Sequence, residues 1–384
     1  MSQDDLASAM RVSRTIVSAW ENDRRRPGID KLGALDDLLA AGGTLASGEG
    51  PAPRAEPMPV GDIFRQASAT LLEHLSEDTA VDGLPGYGWR RDLDDQHQGL
   101  SAYSTAHALK ALTVTGAGDW RIDIRRIRDE LHRLELPGGG WSALPRSRLA
   151  RPEVTAVVLS ALADVGEKRE YLLERLGLLV ETLAWRAEGA DWARPYVLAT
   201  SLLEMSRMPV ADSNARTFIG DLVASSMVTA TGRTWPVVVK VSPLTPSGSS
   251  TFHTAASVQA LAAWARRLDD DELRDVVAEG RAWLESSADL SLDDEEISVE
   301  RAEGGVEPLT VKHFVPAWTL RALLVAGSGP QSPAVARALS ETLRYFDRGN
   351  RLWRWPQSGG SYPVWMTYHG LSALRAWALT QPVG

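Results

Sequence analysis

The sequence of 384 residues contains no cysteine. That excludes a structural disulfide, a thiolate nucleophile and a thiolate-ligated zinc or iron–sulfur centre. It has no run of about 18 apolar residues, so no membrane span is expected. It also lacks a basic excess: the formal net charge is −9, which excludes a polycation that coats nucleic acid along its whole length. Lysine is scarce, 5 residues against 36 arginines. The opening MSQDDLASAM is acidic and has no apolar signal core, which points to a cytoplasmic protein. Against these absences, 44% of the residues are hydrophobic and 24% charged. That is enough for a large core with one or more further units.

The first forty residues read as three short helices. Ser2 is a good N-cap, with Asp4 and Asp5 in the first turn and Leu6, Ala7 and Met10 on one face. After the break at Arg11-Val12-Ser13, Ser13 caps a second helix that turns Ile16, Val17 and Trp20 inward. A polar loop over 21–28 leads to a third helix from about Asp30 to Leu39, packing Leu32, Leu35, Leu38 and Leu39. Two short helices across a tight turn make a helix-turn-helix.

The string QDDLASAMRVSRTIVSAWEN resembles the Cro/repressor (XRE) family, through Gln3, Ala7, Val12-Ser13, Val17, Glu21 and Pro27. Ala7 falls where the two helices cross and only a small side chain fits. The resemblance implies that Ser13 to Asn22 is a recognition helix in the major groove, with Ser13, Arg14, Thr15 and Ser18 facing the bases. Arg14 suits a guanine edge, and Gln3 and Asn22 suit base or phosphate contacts. Arg24, Arg25 and Arg26 would meet phosphates. It also implies a homodimer reading two half-sites. The sequence departs from the family in two ways. Arg11 stands where the family has a turn glycine, at a cost of about 1 kcal/mol if the left-handed conformation is kept. The family also has a helix before Gln3, so the unit is expected to be incomplete or to have a start upstream.

Residues 42–59, GGTLASGEGPAPRAEPMP, contain four prolines and almost no large apolar residue. They read as a flexible linker between a helix-turn-helix domain at 1–41 and a second domain at 60–384.

That second part is repetitive. An apolar-x-Ala-Leu signature recurs at Leu109–Leu112, Leu159–Leu162, Val258–Leu261, Leu320–Leu323 and Leu371–Leu374. With a degenerate copy near Leu198–Leu203, this defines six units of about 50 residues. Each unit begins with a charged amphipathic helix, expected at 60–77, 120–135, 168–186, 212–228, 271–287 and 333–347. A loop rich in Gly or Trp follows. A more apolar helix closes each unit, expected at 102–115, 152–165, 194–207, 252–266, 313–326 and 366–380. The acidic stretch ADLSLDDEEISVERAEG at 288–304 reads as an inserted loop.

Alternating charged and apolar helices imply an outer and an inner layer. The fold class is therefore all-α: a short helix-turn-helix domain plus a six-hairpin (α/α)6 toroid. An open HEAT-like arch is the alternative, though closure would remove the end faces that open arrays must cap. In its Gly-Gly-x-Trp-like loops before inner helices, the region resembles the toroid of terpenoid cyclases and protein prenyltransferases. One such fold hosts many chemistries.

Tests for that chemistry give little. Asp92-Leu93-Asp94-Asp95 matches the D-x-D-D acid motif of class II terpene cyclases, and clustered carboxylates can raise one pKa for general acid work. Yet QHQGLSAY separates it from the next helix, as expected of a solvated loop. Asp269-Asp270-Asp271 and Asp293-Asp294-Glu295-Glu296 lack the spacing of diphosphate–metal sites and read as a helix start and an acidic loop. No phosphate-binding loop, Gly-x-Ser-x-Gly elbow or His-Glu-x-x-His is present, and neither cofactor nor metal is expected.

Four of the seven histidines, His107, His253, His313 and His369, fall near inner-helix starts. With Tyr103, Tyr368 and the loop residue Trp89 they could ring one mouth of a central cavity and bind a small apolar ligand; polar helix ends with loop-packing tryptophans would produce the same pattern. The leading expectation is a cytoplasmic DNA-binding transcriptional regulator whose toroid senses a ligand or a protein partner. The alternatives are a terpene-cyclase-like enzyme using Asp92, Asp94 and Asp95, and a scaffold of a multi-gene response or defence system.

Overall fold

The computed structural model describes residues 58–77, 86–94, 99–116, 122–144, 149–186, 194–238, 248–300, 306–356 and 360–381. The chain divides into two compact units, Met1–Pro59 and Val60–Gly384. The expected DNA-contacting residues, Gln3 through Arg26, lie outside the described residues, as does Asp95.

The second unit is all-α and toroidal. Its outer helices are α1 (Val60–Glu73), α3 (Ile124–Arg133), α5 (Arg169–Arg186), α7 (Asp212–Ala224), α9 (Asp271–Ser287) and α11 (Pro333–Arg344). They alternate with inner helices α2 (Ala102–Thr115), α4 (Pro152–Asp164), α6 (Pro195–Met205), α8 (Thr251–Leu268), α10 (Val315–Val325) and α12 (Val364–Ala378). The helices start where local chemistry permits. Ser101, Asp123, Ser250, Asp270 and Ser332 each accept a backbone N–H from the first turn. Pro152, Pro195 and Pro333 stand in the first turn, where a missing N–H costs nothing. Asp270 of the acidic run is thus a cap rather than a metal ligand.

Burial separates the two layers. In α3 only Ile127, Glu130 and Leu131 are buried, one narrow stripe. In α8 all but one of the residues from Phe252 to Ala265 are buried. Each inner helix packs on the next: α2 on α4, α4 on α6, α6 on α8, α8 on α10, α10 on α12, and α12 back on α2. The ring is therefore closed rather than an open arch. At the seam, Leu93 N–H donates to the Tyr362 carbonyl at 3.2 Å. Tyr362 N–H in turn donates to Asp92 Oδ1 at 2.9 Å. Among the described residues no helix is long and apolar enough to cross a membrane.

A repeated staple joins outer to inner helices. The indole Nε1 of Trp89, Trp141, Trp235 and Trp353 donates to the carbonyls of Leu71, Leu131, Leu222 and Thr342, at 2.7–2.9 Å. These acceptors lie in the last turns of α1, α3, α7 and α11, where helix carbonyls lack internal partners. The backbone N–H of each tryptophan donates to a threonine hydroxyl: Thr105, Thr155, Thr254 and Thr367, at 3.0–3.4 Å. Each threonine is the fourth residue of its inner helix. Gly140 shows why small residues precede the staple: its φ is +79°, and a Cβ there would fall 2.7 Å from the Thr155 hydroxyl. Gly370 in α12 likewise leaves room for the Trp353 indole, 2.3 Å from where a Cβ would be.

The acidic insertion is not a loop. Strands β4 (Asp293–Glu300) and β5 (Val306–His313) form an antiparallel hairpin, with Asp293 opposite His313 and Glu300 opposite Val306. Ile297 and Val299, then Leu309 and Val311, alternate with polar residues at strand period; the many carboxylates obscured that alternation. Shorter strands lie between α7 and α8, β1 (Met227–Thr229), β2 (Gly232–Pro236) and β3 (Ser249–Ser250), and after α11, β6 (Phe346–Asp347) and β7 (Leu352–Trp353).

Candidate functional site: the central cavity

The inner helices present their amino-terminal halves to the axis in tiers. Second residues form the mouth: Tyr103, Glu153, Tyr196, Phe252 and Trp365. Sixth residues form the next tier, with His107 from α2, Val157 from α4, Thr200 from α6 and His369 from α12. This is the four-residue step of one helix face. Below them lie Glu204 and Arg321 with Tyr368, and Trp318 fills the α10 side. The hairpin closes the mouth with Val311, Lys312 and His313. What remains is a narrow cavity of about 60 Å³, room for roughly four water molecules.

The deepest polar residues coincide with the variable letter of the repeat signature. That letter is Lys110, Ser160, Gln259, Arg321 and Ser372 in the five clear copies; Glu204 follows Leu203 in the degenerate copy. Lys110, Ser160, Glu204, Gln259 and Arg321 are all buried. Lys110 Nζ donates to Glu204 Oε2 at 2.6 Å and to Ser160 Oγ at 2.8 Å. Gln259 Nε2 donates to the Trp318 carbonyl at 2.9 Å. Burial pushes the Glu204 carboxyl up, but the Lys110 ammonium and then Arg207 outweigh it and hold it at about 2. Burial lowers Lys110, and Glu204 more than restores it, leaving it above its ordinary value.

The other cavity carboxylate, Glu153, accepts from Arg151 Nε at 2.5 Å, and Arg151 also donates to the Tyr196 hydroxyl at 2.8 Å. Burial pushes His107 down to about 4, and its Nδ1–H donates to the Tyr103 carbonyl at 2.8 Å. His369 falls well below its ordinary value, through burial first and then the charges of His107 and Arg321. Both imidazoles are neutral near pH 7. Phe252 stacks on His313 at 3.6 Å between centroids, and Trp318 lies 4.8 Å from His369.

Tyr103, His107, His313, Tyr368 and His369, expected around a cavity, do line it. Trp89 does not: its indole is committed to the α1–α2 staple and fully buried there. His253 also stands apart from the lining. Its Nε2 faces Glu295 Oε2 of β4 at 3.9 Å, and burial pushes it down to about 3. Glu295 also faces His313 Nε2 at 3.6 Å and pairs with Arg194 at 2.9 Å, so it anchors the hairpin. Among the described residues no group of three or more acidic or histidine side chains is arranged to hold a metal. Asp92 is engaged at the ring seam, whereas Asp94 is exposed, its carboxyl raised by partial burial and by Asp92.

The residues that sequence reasoning missed are Glu153, Tyr196, Glu204, Trp318 and Arg321. The available signal, for Glu204 and Arg321, was a polar residue recurring at one fixed place in otherwise apolar helices.

Comparison with known proteins places this geometry in context. A helix-turn-helix family model matches residues 1–40. No curated protein matches the sequence. The fold is shared with solved structures of low identity. One is an α-1,6-mannanase of glycoside hydrolase family 76 from a Salegentibacter species, 11% identical, with 84% of this chain and 100% of that chain covered and a TM-score of 0.55. Another is a family 76 mannosidase from Bacteroides thetaiotaomicron, 10% identical, covering 84% and 98%, TM-score 0.52. A third is the Lin0763 protein of Listeria innocua, 11% identical, covering 84% and 97%, TM-score 0.53. At these identities the likeness is one of fold, an α/α toroid. The terpenoid cyclases that the sequence resembles have that toroid in common with it, and these comparisons carry the resemblance no further.

Proposed function

We propose that the chain is a DNA-binding transcriptional regulator in which the amino-terminal helix-turn-helix reads an operator and the toroid senses a small ligand. The match of residues 1–40 to a helix-turn-helix family carries this reading. The cavity supports the sensing half. It is narrow and aromatic, and both of its carboxylates are tied to basic partners. Glycoside hydrolysis needs a protonated carboxylic acid opposite a second carboxylate; Glu204, held at about 2, is a poor proton donor at neutral pH.

Gel shifts of the full chain on the promoter of its own operon test the DNA-reading half. The double variant Arg14→Ala, Thr15→Ala should lose about 1–3 kcal/mol of binding and relax the preference at one base pair. Arg25→Ala should weaken binding to all sequences and flatten the salt dependence. Equal binding by wild type and the double variant would remove Ser13–Asn22 as the recognition helix.

A second reading, an enzyme, rests on the fold shared with the mannanases and on the exposed Asp94 with its raised carboxyl. Hydrolysis of α-1,6-linked mannan, or cyclisation of a polyprenyl substrate lost in Asp94→Asn, would establish it against the regulator.

A further inference from the structure

The basic groups beneath the cavity outnumber the carboxylates that meet them. Lys110 is neutralised by direct contact with Glu204. Arg207, just past α6, is raised chiefly by the charge of Glu204 and more weakly by the exposed Asp164. Arg321 of α10 feels the Glu204 charge more weakly and makes no direct contact with it. It is 7% exposed and lines the cavity. Among the described residues no carboxylate lies within 4 Å of its guanidinium. It touches neutral groups instead: a hydrogen bond with Tyr368, and the Trp318 ring, with its centroid 5.6 Å away. A guanidinium offers five N–H donors in a planar fork that matches a carboxylate. An isolated charge held out of water is expensive.

Around this cation the walls are largely aromatic, with Glu153 tied to Arg151 and Lys312 of the hairpin at the mouth. Phe252, Trp318, Trp365 and Tyr196 supply aromatic surface. His369, a lining residue at least nine-tenths buried, has no hydrogen-bond partner in the protein for its Nδ1, whereas His313 Nε2 faces Glu295. The neutral His369 imidazole can offer one N–H to an acceptor.

We propose that the cavity binds a small organic monocarboxylate, its carboxylate on Arg321 and its short apolar body against the aromatic lining. This assignment rests on the sensing role given to the toroid. A planar carboxylate matches the fork of Arg321, the one guanidinium among the described lining residues, which is buried, whereas Lys312 at the mouth is only half-buried. The cavity volume limits the body to a few heavy atoms unless the hairpin shifts.

The test uses the full chain with sodium acetate and sodium propionate against acetamide and propanamide, at matched ionic strength and neutral pH. Binding is read by calorimetry and by thermal midpoint. The carboxylates should raise the midpoint, the isosteric amides should not, and Arg321→Met should weaken carboxylate binding at least tenfold. Without ligand, Arg321→Met should melt at or above the wild-type midpoint, because an unpaired buried charge has been removed. An unliganded Arg321→Met that melts far below wild type would make the guanidinium a structural group and overturn the proposal. Amides binding as well as carboxylates would overturn the anion assignment and leave the sensing role standing. Inorganic phosphate binding where carboxylates fail would replace the ligand class. Carboxylate binding with no effect on the gel shift would uphold the site and remove the sensing role.

Discussion

The junction between α3 and α4 and the junction between α9 and α10 occupy equivalent places in the ring and are built differently. At the first, Trp141 reaches back to the Leu131 carbonyl and its N–H meets Thr155, the fourth residue of α4. At the second, the hairpin β4–β5 replaces the loop, and the fourth residue of α10 is Trp318. The side chain that elsewhere ties a loop down here faces the cavity. Three other repeats, α1–α2, α7–α8 and α11–α12, keep the first arrangement. The stapled repeats hold the ring together; two inner helices lack the threonine, α6 with Leu198 and α10 with Trp318 at the fourth place, and they contribute Glu204 and Arg321 to the site. Within a toroid of equivalent units, departures from the consensus mark the parts free to acquire chemistry.

The largest effect should come from the stapled junction. Trp141→Ala removes a fully buried indole together with its hydrogen bond, and substitutions of this kind cost about 3–5 kcal/mol. Trp318→Ala also removes a large side chain, but one bordering existing empty space, and should cost less. Denaturant unfolding of both variants compares them directly. A greater loss for Trp318 would mean that the hairpin-bearing junction, not the staple, carries the ring.

Next comes the buried ion pair. Lys110→Met leaves Glu204 without its partner, and breaking such a pair costs about 3–5 kcal/mol. Replacing both, with Lys110→Met and Glu204→Leu, should recover much of it. The pH dependence follows from the lowered carboxyl. Glu204 lies at about 2 in the folded chain against an ordinary 4.5, so its contribution is complete above about pH 5 and fades as the pH falls toward 2. The stability gap between wild type and Glu204→Gln should therefore be constant from pH 5 to neutrality and close on acidification. A gap that stays constant as the pH falls from about 5 toward 2 would show that Glu204 is not ionised in the fold.

A smaller effect is expected from Thr155→Val, which keeps shape and removes the acceptor for the Trp141 N–H. One buried hydrogen bond with its donor left unpaired is worth about 1–3 kcal/mol. The same change at Thr105 or Thr254 should cost a similar amount if the junctions are equivalent. Thr254 also contacts the Thr234 hydroxyl at 2.8 Å, so Thr254→Val should be the costliest of the three.

Much of this ring was legible in the sequence because helix boundaries carry local chemistry. Ser101 and Pro152 mark the starts of α2 and α4, and the apolar-x-Ala-Leu spacing locates all the inner helices but α6. The hairpin was not legible as structure, because Asp293 to Glu296 read as a solvated run and their pairing with Thr310 to His313 is a non-local fact. Trp89 was misplaced for a related reason. A tryptophan beside a histidine-bearing helix looks like a cavity wall until its indole is seen to donate to Leu71. The site itself was hidden in the signature's variable letter. Lys110 and Arg321 vary between repeats, so a search for constant letters passes over them; only their burial shows that the variable position faces the axis.

The smallest effect concerns the ring seam and the meaning of Asp92-Leu93-Asp94. Asp92 Oδ1 accepts the Tyr362 N–H at 2.9 Å and so joins the first and last repeats. An asparagine retains that acceptor, so Asp92→Asn should change stability by no more than about 0.5 kcal/mol, the ordinary range for a substitution away from the core. Asp92→Ala removes the acceptor and should cost about 1 kcal/mol. A latch predicts this order, with asparagine near wild type and alanine below it. An acid catalyst predicts another: asparagine and alanine would be equally inert in any turnover assay, whatever their stability. Thermal midpoints of the two variants, read beside their activity on α-1,6-linked mannan and on a polyprenyl substrate, separate the roles. Equal destabilisation by asparagine and alanine would mean that the Asp92 charge, not its acceptor geometry, closes the toroid.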